Sequence, residues 1–265
     1  MATSEKTLLS AGSFCWADLN STDPGKTRSF YTELMGWTLK DVPMGEGPTY
    51  TMVMSGEHGV GGMYAMDSAQ KDMGVPSHWM CYILVDDLEA MTKKAADLGA
   101  TVVAQPFSVG QFGTMSVLVD PTGANFALWK SSTGEATAAN GVGTLCWNEL
   151  LTEDTGKASD FYTKLLDWTG EAMPMANMNY TVFKNGQAPA AGMMELPAEA
   201  KKHGAKPHWL LYVSVADCDQ TIARCKELGG GVCMPATDFE GVGRGAILTD
   251  PTGAAFGVIR LNKTC

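Results

Sequence analysis

The 265-residue sequence carries 19 basic and 29 acidic residues, which gives a formal net charge of −10. This acidic balance argues against nucleic acid or an anionic membrane surface as a partner, because both bind basic patches. The seven cysteines include no Cys-x-x-Cys pair, which favours a reduced environment over a disulfide scaffold. Residues 1–13 lack the basic start and apolar run of a signal peptide, and no apolar segment is long enough to span a membrane. We therefore expect a cytoplasmic protein.

One motif of the chain occurs twice. Residues 14–37 return as residues 145–168, with the Cys-Trp, Gly-Lys, Phe-Tyr and final Trp in the same order. His78-Trp79 returns as His208-Trp209, and the Asp-Pro-Thr-Gly of residues 120–123 returns at 250–253. Each copy is large enough to bury its own core, so we predict domains at 10–130 and 142–262. Residues 131–141 between them are small and polar without a pattern, which is typical of a linker.

The first copy begins with an alternating apolar stretch, residues 12–20, that predicts a strand. Thr22 or Asp23 can cap a helix that has Pro24 in its first turn and leaves at Gly36. A second helix is predicted from Asp86 or Asp87 to Leu98, residues 70–77 read as a loop, and the remaining strands are predicted at 49–55, 59–66, 78–85, 100–104, 115–119 and 125–129. We interpret each half as the order β-α-β-β-β twice, with one strand of the first unit not assigned to a range.

These motifs resemble the vicinal oxygen chelate superfamily, which includes glyoxalase I, bleomycin-resistance proteins and extradiol dioxygenases. The resemblance rests on the Asp, Phe-Tyr and Gly-Trp of residues 23–37, the Val-Asp-Asp to Leu-Gly of 85–99, and the Asp-Pro-Thr-Gly-Ala of 120–124. It covers nearly the whole chain and is strongest to a two-domain, glyoxalase-like group from actinobacteria. It implies an α+β fold of two tandem domains, each a pair of βαβββ units that form a cup-shaped mixed sheet with helices outside. It also implies that the halves pack together as an intrachain pseudo-dimer, in a monomer or a homodimer.

The resemblance further implies a divalent metal held at four places in each cup. In this sequence the places of the first half fall at Trp16, Gly62, Met80 and Ala127. Those of the second half fall at Trp147, Gly192, Leu210 and Gly257. Such side chains do not bind a metal ion, which needs imidazole, carboxylate or thiolate. We expect no cofactor, with a divalent metal as the alternative if a shift of two residues brings His78 or His208 into the site.

Two acids and two histidines are the candidates for catalytic chemistry. Asp18 and Glu149 are in the middle of a strand, two residues after the repeated Trp and hence on the same face of the sheet. His78 and His208 are the only histidines that correspond between the halves. The alternative for the acids is a bond to a neighbouring strand or helix end, or a polar anchor for a ligand. The alternative for the histidines is a bond to loop backbone groups.

Aromatic and methionine side chains predict an apolar pocket around the acids. The candidate ligand-binding residues are Trp16, Tyr50, Met63, Met80, Tyr82, Trp129, Trp147, Tyr180, Met193 and Tyr212. Their alternative role is to fill the core. We expect a metal-free protein that binds a small apolar or aromatic molecule. The alternative is a lyase, isomerase or dioxygenase, either metal-dependent or using acid–base catalysis, so the sequence leaves open whether the protein is an enzyme. Since Trp129 corresponds to Ile259, one cup is a candidate for a vestigial site.

Overall fold

The computed structural model describes residues 6–43, 49–134, 136–175 and 178–262. The first half contains β1 (Lys6–Leu8), β2 (Phe14–Ser21), α1 (Pro24–Met35), β3 (Thr38–Val42), β4 (Tyr50–Ser55), β5 (His58–Ala65), α2 (Ser68–Asp72), β6 (His78–Leu84), α3 (Leu88–Asp97), β7 (Thr101–Val109), β8 (Gly113–Val119) and β9 (Asn125–Ser131). The second contains β10 (Thr137–Ala139), β11 (Leu145–Thr152), α4 (Thr155–Leu166), β12 (Thr169–Met175), β13 (Met178–Asn185), β14 (Ala188–Glu195), α5 (Ala198–Lys202), β15 (His208–Ser214), α6 (Cys218–Glu227), β16 (Gly231–Phe239), β17 (Gly243–Thr249) and β18 (Ala255–Leu261).

Each half forms one mixed sheet of eight strands. The order is β3-β4-β5-β2-β6-β9-β8-β7 in the first half and β12-β13-β14-β11-β15-β18-β17-β16 in the second. Strand β2 runs parallel to β5 and antiparallel to β6, which places the first strands of the two βαβββ units side by side at the centre. The α+β class and the tandem arrangement expected from the sequence are confirmed.

Capping residues mark where helices α1 and α4 begin and end. The Asp23 carboxylate accepts a hydrogen bond from the Lys26 amide at 3.1 Å, which satisfies one free N–H group of the first turn of α1. Gly36 ends the helix at a φ of 67°, a left-handed conformation that glycine adopts without strain. The repeat uses Asp154 in the same way at 2.9 Å. The same local signal therefore sets the start of both helices.

One hydrophobic core joins the two halves. In each sheet the face opposite Asp18 or Glu149 packs against the helices, and these helix faces share a single cluster of buried residues. Phe30 lies against Phe256 at a ring distance of 6.2 Å, and Phe126 lies against Phe161 at 6.1 Å. Each contact pairs one half with the other, so the chain is an intrachain pseudo-dimer.

Several backbone segments differ from the sequence expectation, among them β3, which forms where no strand was predicted. Residues 137–139, inside the expected linker, form β10 and pair antiparallel with β1, so backbone hydrogen bonds order a segment that has no sequence pattern. The expected loop at 70–77 begins inside the short helix α2, because the Asp67 carboxylate accepts from the Gln70 amide at 2.7 Å and caps that helix. Among the helices of the described ranges, none combines the length and apolar content needed to cross a membrane.

Candidate functional site

A buried carboxylate is at the centre of the first sheet. We call the face of each sheet that carries Asp18 or Glu149 the acid face. Asp18 is 6% exposed and accepts three hydrogen bonds from side chains. The donors are Nε1 of Trp16 at 2.9 Å, the hydroxyl of Tyr50 at 2.6 Å and the hydroxyl of Tyr82 at 2.7 Å. Both carboxylate oxygens therefore have protein partners.

The sheet register explains how these donors converge. Trp16 lies two residues before Asp18 on β2 and shares its face, and Tyr82 lies opposite Trp16 on β6. Tyr50 reaches Asp18 from β4, across the intervening strand β5. It passes over Gly62, where an added Cβ atom would overlap with the Tyr50 hydroxyl and the Asp18 carboxylate. The absence of a side chain at Gly62 thus permits the bond between Tyr50 and Asp18.

Burial changes the proton affinities in this cluster. Burial raises the pKa of Asp18 above its ordinary value of 3.8, although the bonds from Tyr50, Tyr82 and Trp16 oppose the rise. Burial and the charge of Asp18 raise the pKa of Tyr82 well above its ordinary value, so its hydroxyl keeps its proton and donates. The carboxyl group of Asp18 is therefore a better proton acceptor than an exposed aspartate.

The second half repeats the cluster with a longer acid. Glu149 accepts from the hydroxyl of Tyr180 at 2.9 Å and from that of Tyr212 at 3.1 Å. Nε1 of Trp147 donates to the Tyr180 hydroxyl at 2.9 Å. Gly192 corresponds to Gly62, and a Cβ atom there would overlap with the Tyr180 hydroxyl. Burial again raises the pKa of the acid.

The two candidate histidines bind backbone carbonyls. Nδ1 of His78 lies 2.8 Å from the Pro76 oxygen, and Nδ1 of His208 lies 2.7 Å from the Lys206 oxygen. A carbonyl only accepts, so Nδ1 carries the proton and Nε2 of the neutral ring is an acceptor. Burial lowers the pKa of His208. Within the described ranges, no hydrogen bond joins either imidazole to Asp18 or Glu149, so the structure does not bring the four catalytic candidates into two acid–histidine pairs.

Most of the other candidates surround the acids, but two methionines do not. Tyr82, Met80 and Ala127 belong to the buried cluster of the first acid face. Trp16 and Trp129 are partly exposed and pack against that cluster. Met63 and Met193 belong instead to the shared core on the helix face. Successive side chains of a strand point to opposite faces, so Gly62 on the acid face directs Met63 away from it. The sequence prediction that these two methionines line the acid-face pocket is wrong.

The family resemblance implies a metal ion, and the residues present do not fit one. Within the described ranges, no group of three His, Cys, Asp or Glu side chains lies close enough together to hold a cation. The oxygens of Asp18 accept hydrogen bonds from two hydroxyls and one indole N–H, and such a donor shell stabilises an anion. A divalent cation would require several of these donors to be replaced by acceptors.

The sequence analysis missed three polar residues near Asp18. Asn20 lies two residues after Asp18 on the same face, with its Nδ2 donating to Oε1 of Gln70 at 3.0 Å. Tyr64 lies beside Asn20 in the register of β5. A comparison of the two halves could have identified these residues, because the second half has apolar residues at the same places. Asn20, Tyr64 and Gln70 correspond to Leu151, Met194 and Ala200, respectively.

Known proteins resemble the chain in sequence and in fold. The family model described as the Glyoxalase/Bleomycin resistance protein/Dioxygenase superfamily matches residues 13–128 and 144–258. CFP32 of Mycobacterium tuberculosis, whose name includes the word glyoxylase, is 38% identical over 92% of this chain and 93% of its own. The anthracycline biosynthesis protein DnrV of Streptomyces peucetius is 34% identical over 97% and 96%. A Mn(II)-bound glyoxalase from Novosphingobium aromaticivorans has a TM-score of 0.66 over 96% of this chain and 83% of its own, at 12% identity. The last likeness concerns the fold alone.

Proposed function

The chain belongs to the Glyoxalase/Bleomycin resistance protein/Dioxygenase superfamily, and we propose that it binds a small aromatic molecule on an acid face without a metal ion. The observation that carries this proposal is the Asp18 cluster. At the place where the family resemblance implies a metal, the chain has an acid held by two tyrosines and a tryptophan. Apolar and aromatic side chains surround that acid, which is the composition of small-molecule sites.

The side chains of the first acid face suit a flat, apolar ligand. Tyr82 and Trp129 lie edge to face at a ring distance of 6.4 Å, and Trp129 is only half-buried, so part of its ring is open to contact. Met80 and Met115 add flexible thioether side chains that adapt to ligand shape. The relative DnrV is named for anthracycline biosynthesis. We therefore place fused-ring aromatic molecules first among the ligands, and we propose that the protein is cytoplasmic with domains at 10–130 and 142–262.

A metal-dependent enzyme is the second candidate function, and the Mn(II)-bound glyoxalase of the same fold is the observation that favours it. A metal-free variant of this candidate uses Asp18 as an acid–base group, since its raised pKa favours proton uptake. Both require a substrate close to Asp18. The contacts described above support binding more directly, because each Asp18 oxygen already accepts from a protein donor.

Calorimetric titration with an anthracycline such as doxorubicin tests the proposal. We expect saturable binding, and we expect Trp129→Leu to weaken it about tenfold because the aromatic contact is lost. Ile259→Leu is the matched control, since it changes the corresponding position of the second half with little change in volume. Failure to bind anthracyclines and simpler fused-ring aromatics alike would overturn the proposal. Stoichiometric metal in protein purified without a chelator or histidine tag would favour the enzyme.

A further inference from the structure

The two acid faces differ in polarity at one place. Asn20 lies opposite His78 on one side and Tyr64 on the other, so these three residues occupy adjacent positions on β2, β6 and β5. The corresponding strands β11, β15 and β14 bring together Leu151, His208 and Met194. The first half thus has three polar side chains where the second has one.

The amide of Asn20 is incompletely satisfied. Its side chain is 2% exposed, and its Nδ2 donates to Gln70. Its Oδ1 is buried and has no hydrogen-bond partner in the described part of the chain. A buried acceptor without a donor costs free energy, because the bond it made to water in the unfolded chain is not replaced. Oδ1 of Asn20 is therefore a position at which a donor from a ligand gains a bond without displacing a protein group.

Two further groups near Asn20 can take part in the same recognition. The tautomer of His78 leaves Nε2 as an acceptor, since Nδ1 donates to the Pro76 carbonyl. Tyr64 is only half-buried, and burial together with the charge of Asp18 raises its pKa, so its hydroxyl lies within the field of the acid cluster. Tyr64 therefore belongs to the surroundings of Asp18.

The second half has apolar packing in place of this polar group. Leu151 is 3% exposed and forms a buried cluster with Leu196 and Leu210. Ala200 packs against that cluster at the position that corresponds to Gln70. The unpaired acceptor of the first half thus has an apolar, well-packed counterpart.

We infer that the ligand site is in the first half alone, and that Oδ1 of Asn20 accepts a hydrogen bond from a hydroxyl group of an aromatic ligand, with Tyr64 beside it. The second acid face is packed for stability and holds no ligand. This inference rests on the proposed function and specifies the half, the residue and the ligand class. Hydroxylated fused-ring aromatics are the class that fits, since they combine a flat apolar body with a donor at its edge.

A pair of probes that differ only in the donor tests the inference. Naphthol carries a hydroxyl group, and its methyl ether has the same rings without the donor. In calorimetric titrations of the full chain we expect one naphthol per chain, bound about tenfold more tightly than the ether. Asn20→Leu, which introduces the residue of the second half, should abolish this preference and leave the affinity for the ether unchanged. Leu210→Met, which introduces the residue of the first half, is the control and should keep wild-type binding.

The outcomes separate this inference from the proposed function. If no fused-ring aromatic binds, the proposed function fails and the inference fails with it. If naphthol and its ether bind equally, or Asn20→Leu keeps the preference, aromatic binding stands and the role of Asn20 is wrong. Two bound molecules per chain would overturn the restriction to the first half. Should Asn20→Leu lose the near-ultraviolet dichroism of the folded protein, Tyr64→Phe gives a second reading, since loss of the neighbouring hydroxyl should reduce the preference.

Discussion

The hydroxyl of Tyr162 in the second half donates to the carboxylate of Asp120 in the first half, with Oη 2.9 Å from Oδ2. The same hydroxyl accepts from Nε1 of Trp209 at 2.8 Å. The other oxygen of Asp120 accepts from the Thr122 and Gly123 amides of the turn at 2.7 and 2.8 Å. Asp120 therefore closes its own turn and also binds the opposite half.

Replacement of Tyr162 by Phe should lower the free energy of unfolding by about 1–3 kcal/mol, because Trp209 and Asp120 each lose a buried partner. Tyr31→Phe is the matched control. Tyr31 corresponds to Tyr162 in the repeat, and Asp250 corresponds to Asp120. The Tyr31 hydroxyl accepts from Trp79 at 3.0 Å, but Oδ2 of Asp250 is without a hydrogen-bond partner in the described residues, so this half lacks the bond between tyrosine and aspartate. The control should therefore lose less stability. Urea denaturation measures both, and equal losses would show that the bond across the halves contributes nothing.

Asp18→Asn should change the pH dependence of stability. Between the ordinary pKa of 3.8 and the raised pKa of Asp18, the folded protein holds more protons than the unfolded chain. The contribution of Asp18 to stability therefore falls as the pH rises through this window, and the loss is complete above the raised pKa. Asn does not titrate, so the stability of the variant relative to wild type should rise with pH across the same window. Denaturant midpoints measured at a series of pH values give this difference.

Asp23→Asn provides a control of opposite sign. The bond from the Lys26 amide lowers the pKa of Asp23, so its contribution is present above 3.8 and is lost as the pH falls through the lowered value. Relative to wild type, this variant should lose stability as the pH rises. The same sign for both variants would contradict the assigned effect of burial on Asp18.

A methyl group at Gly62 should disrupt the acid cluster. The Cβ atom of Gly62→Ala would overlap with Tyr50 and Asp18, and overpacking of this kind costs about 1–3 kcal/mol of unfolding free energy. Gly25→Ala is the control, since its Cβ would lie 3.4 Å from the Asp23 carboxylate in a helical position. Alanine favours a helix, so the control should be neutral or slightly stabilising. Thermal unfolding compares the two, and an unaffected Gly62→Ala variant would mean that Tyr50 moves away without loss.

Elemental mass spectrometry of the purified protein should find much less than one metal ion per chain. A metal ion that binds only the folded protein would raise its melting temperature. Because we expect no such binding, incubation with Mn²⁺ or Zn²⁺ should leave the melting temperature unchanged. A near-integer content, or a rise in melting temperature that His78→Ala or His208→Ala abolishes, would show that the acid face adopts a different set of ligands.

The sequence was sufficient for the fold class, the tandem repeat and the shared face of Asp18 and Trp16. Residue alternation along one strand placed Asp18 and Trp16 on a common face, and the repeat assigned the same arrangement to Glu149 and Trp147. Local capping residues such as Asp23 gave the helix ends. Strand alternation and helix capping depend on residues that are close together in the chain, so a short sequence pattern is enough to predict them.

Features that depend on distant segments were not visible in the sequence. The hydrogen bond between Tyr50 and Asp18 spans the intervening strand β5. Its prediction requires the strand pairing, which places Gly62 between the two side chains. The Asp120–Tyr162 bond requires the packing of the two halves, so the sequence alone assigned Asp120 only to its turn. Met63 was predicted on the wrong face because only the strand pairing shows that its neighbour Gly62 lies beside Asp18 on the acid face.

Trp37 donates from Nε1 to the Gly143 carbonyl at 2.7 Å, and Trp168 donates to that of Gly12 at 3.1 Å, so each copy of the motif holds the backbone of the other. In a dimer of two identical chains, every inherited substitution changes both subunits at once. Fusion into one chain removes that restriction, because a substitution alters one copy while its partner still supplies an intact interface. Asp18 and Glu149 already differ by one methylene group, and Asn20 and Leu151 differ in polarity. The two copies of the motif thus differ in sequence at these positions while each still holds the backbone of the other.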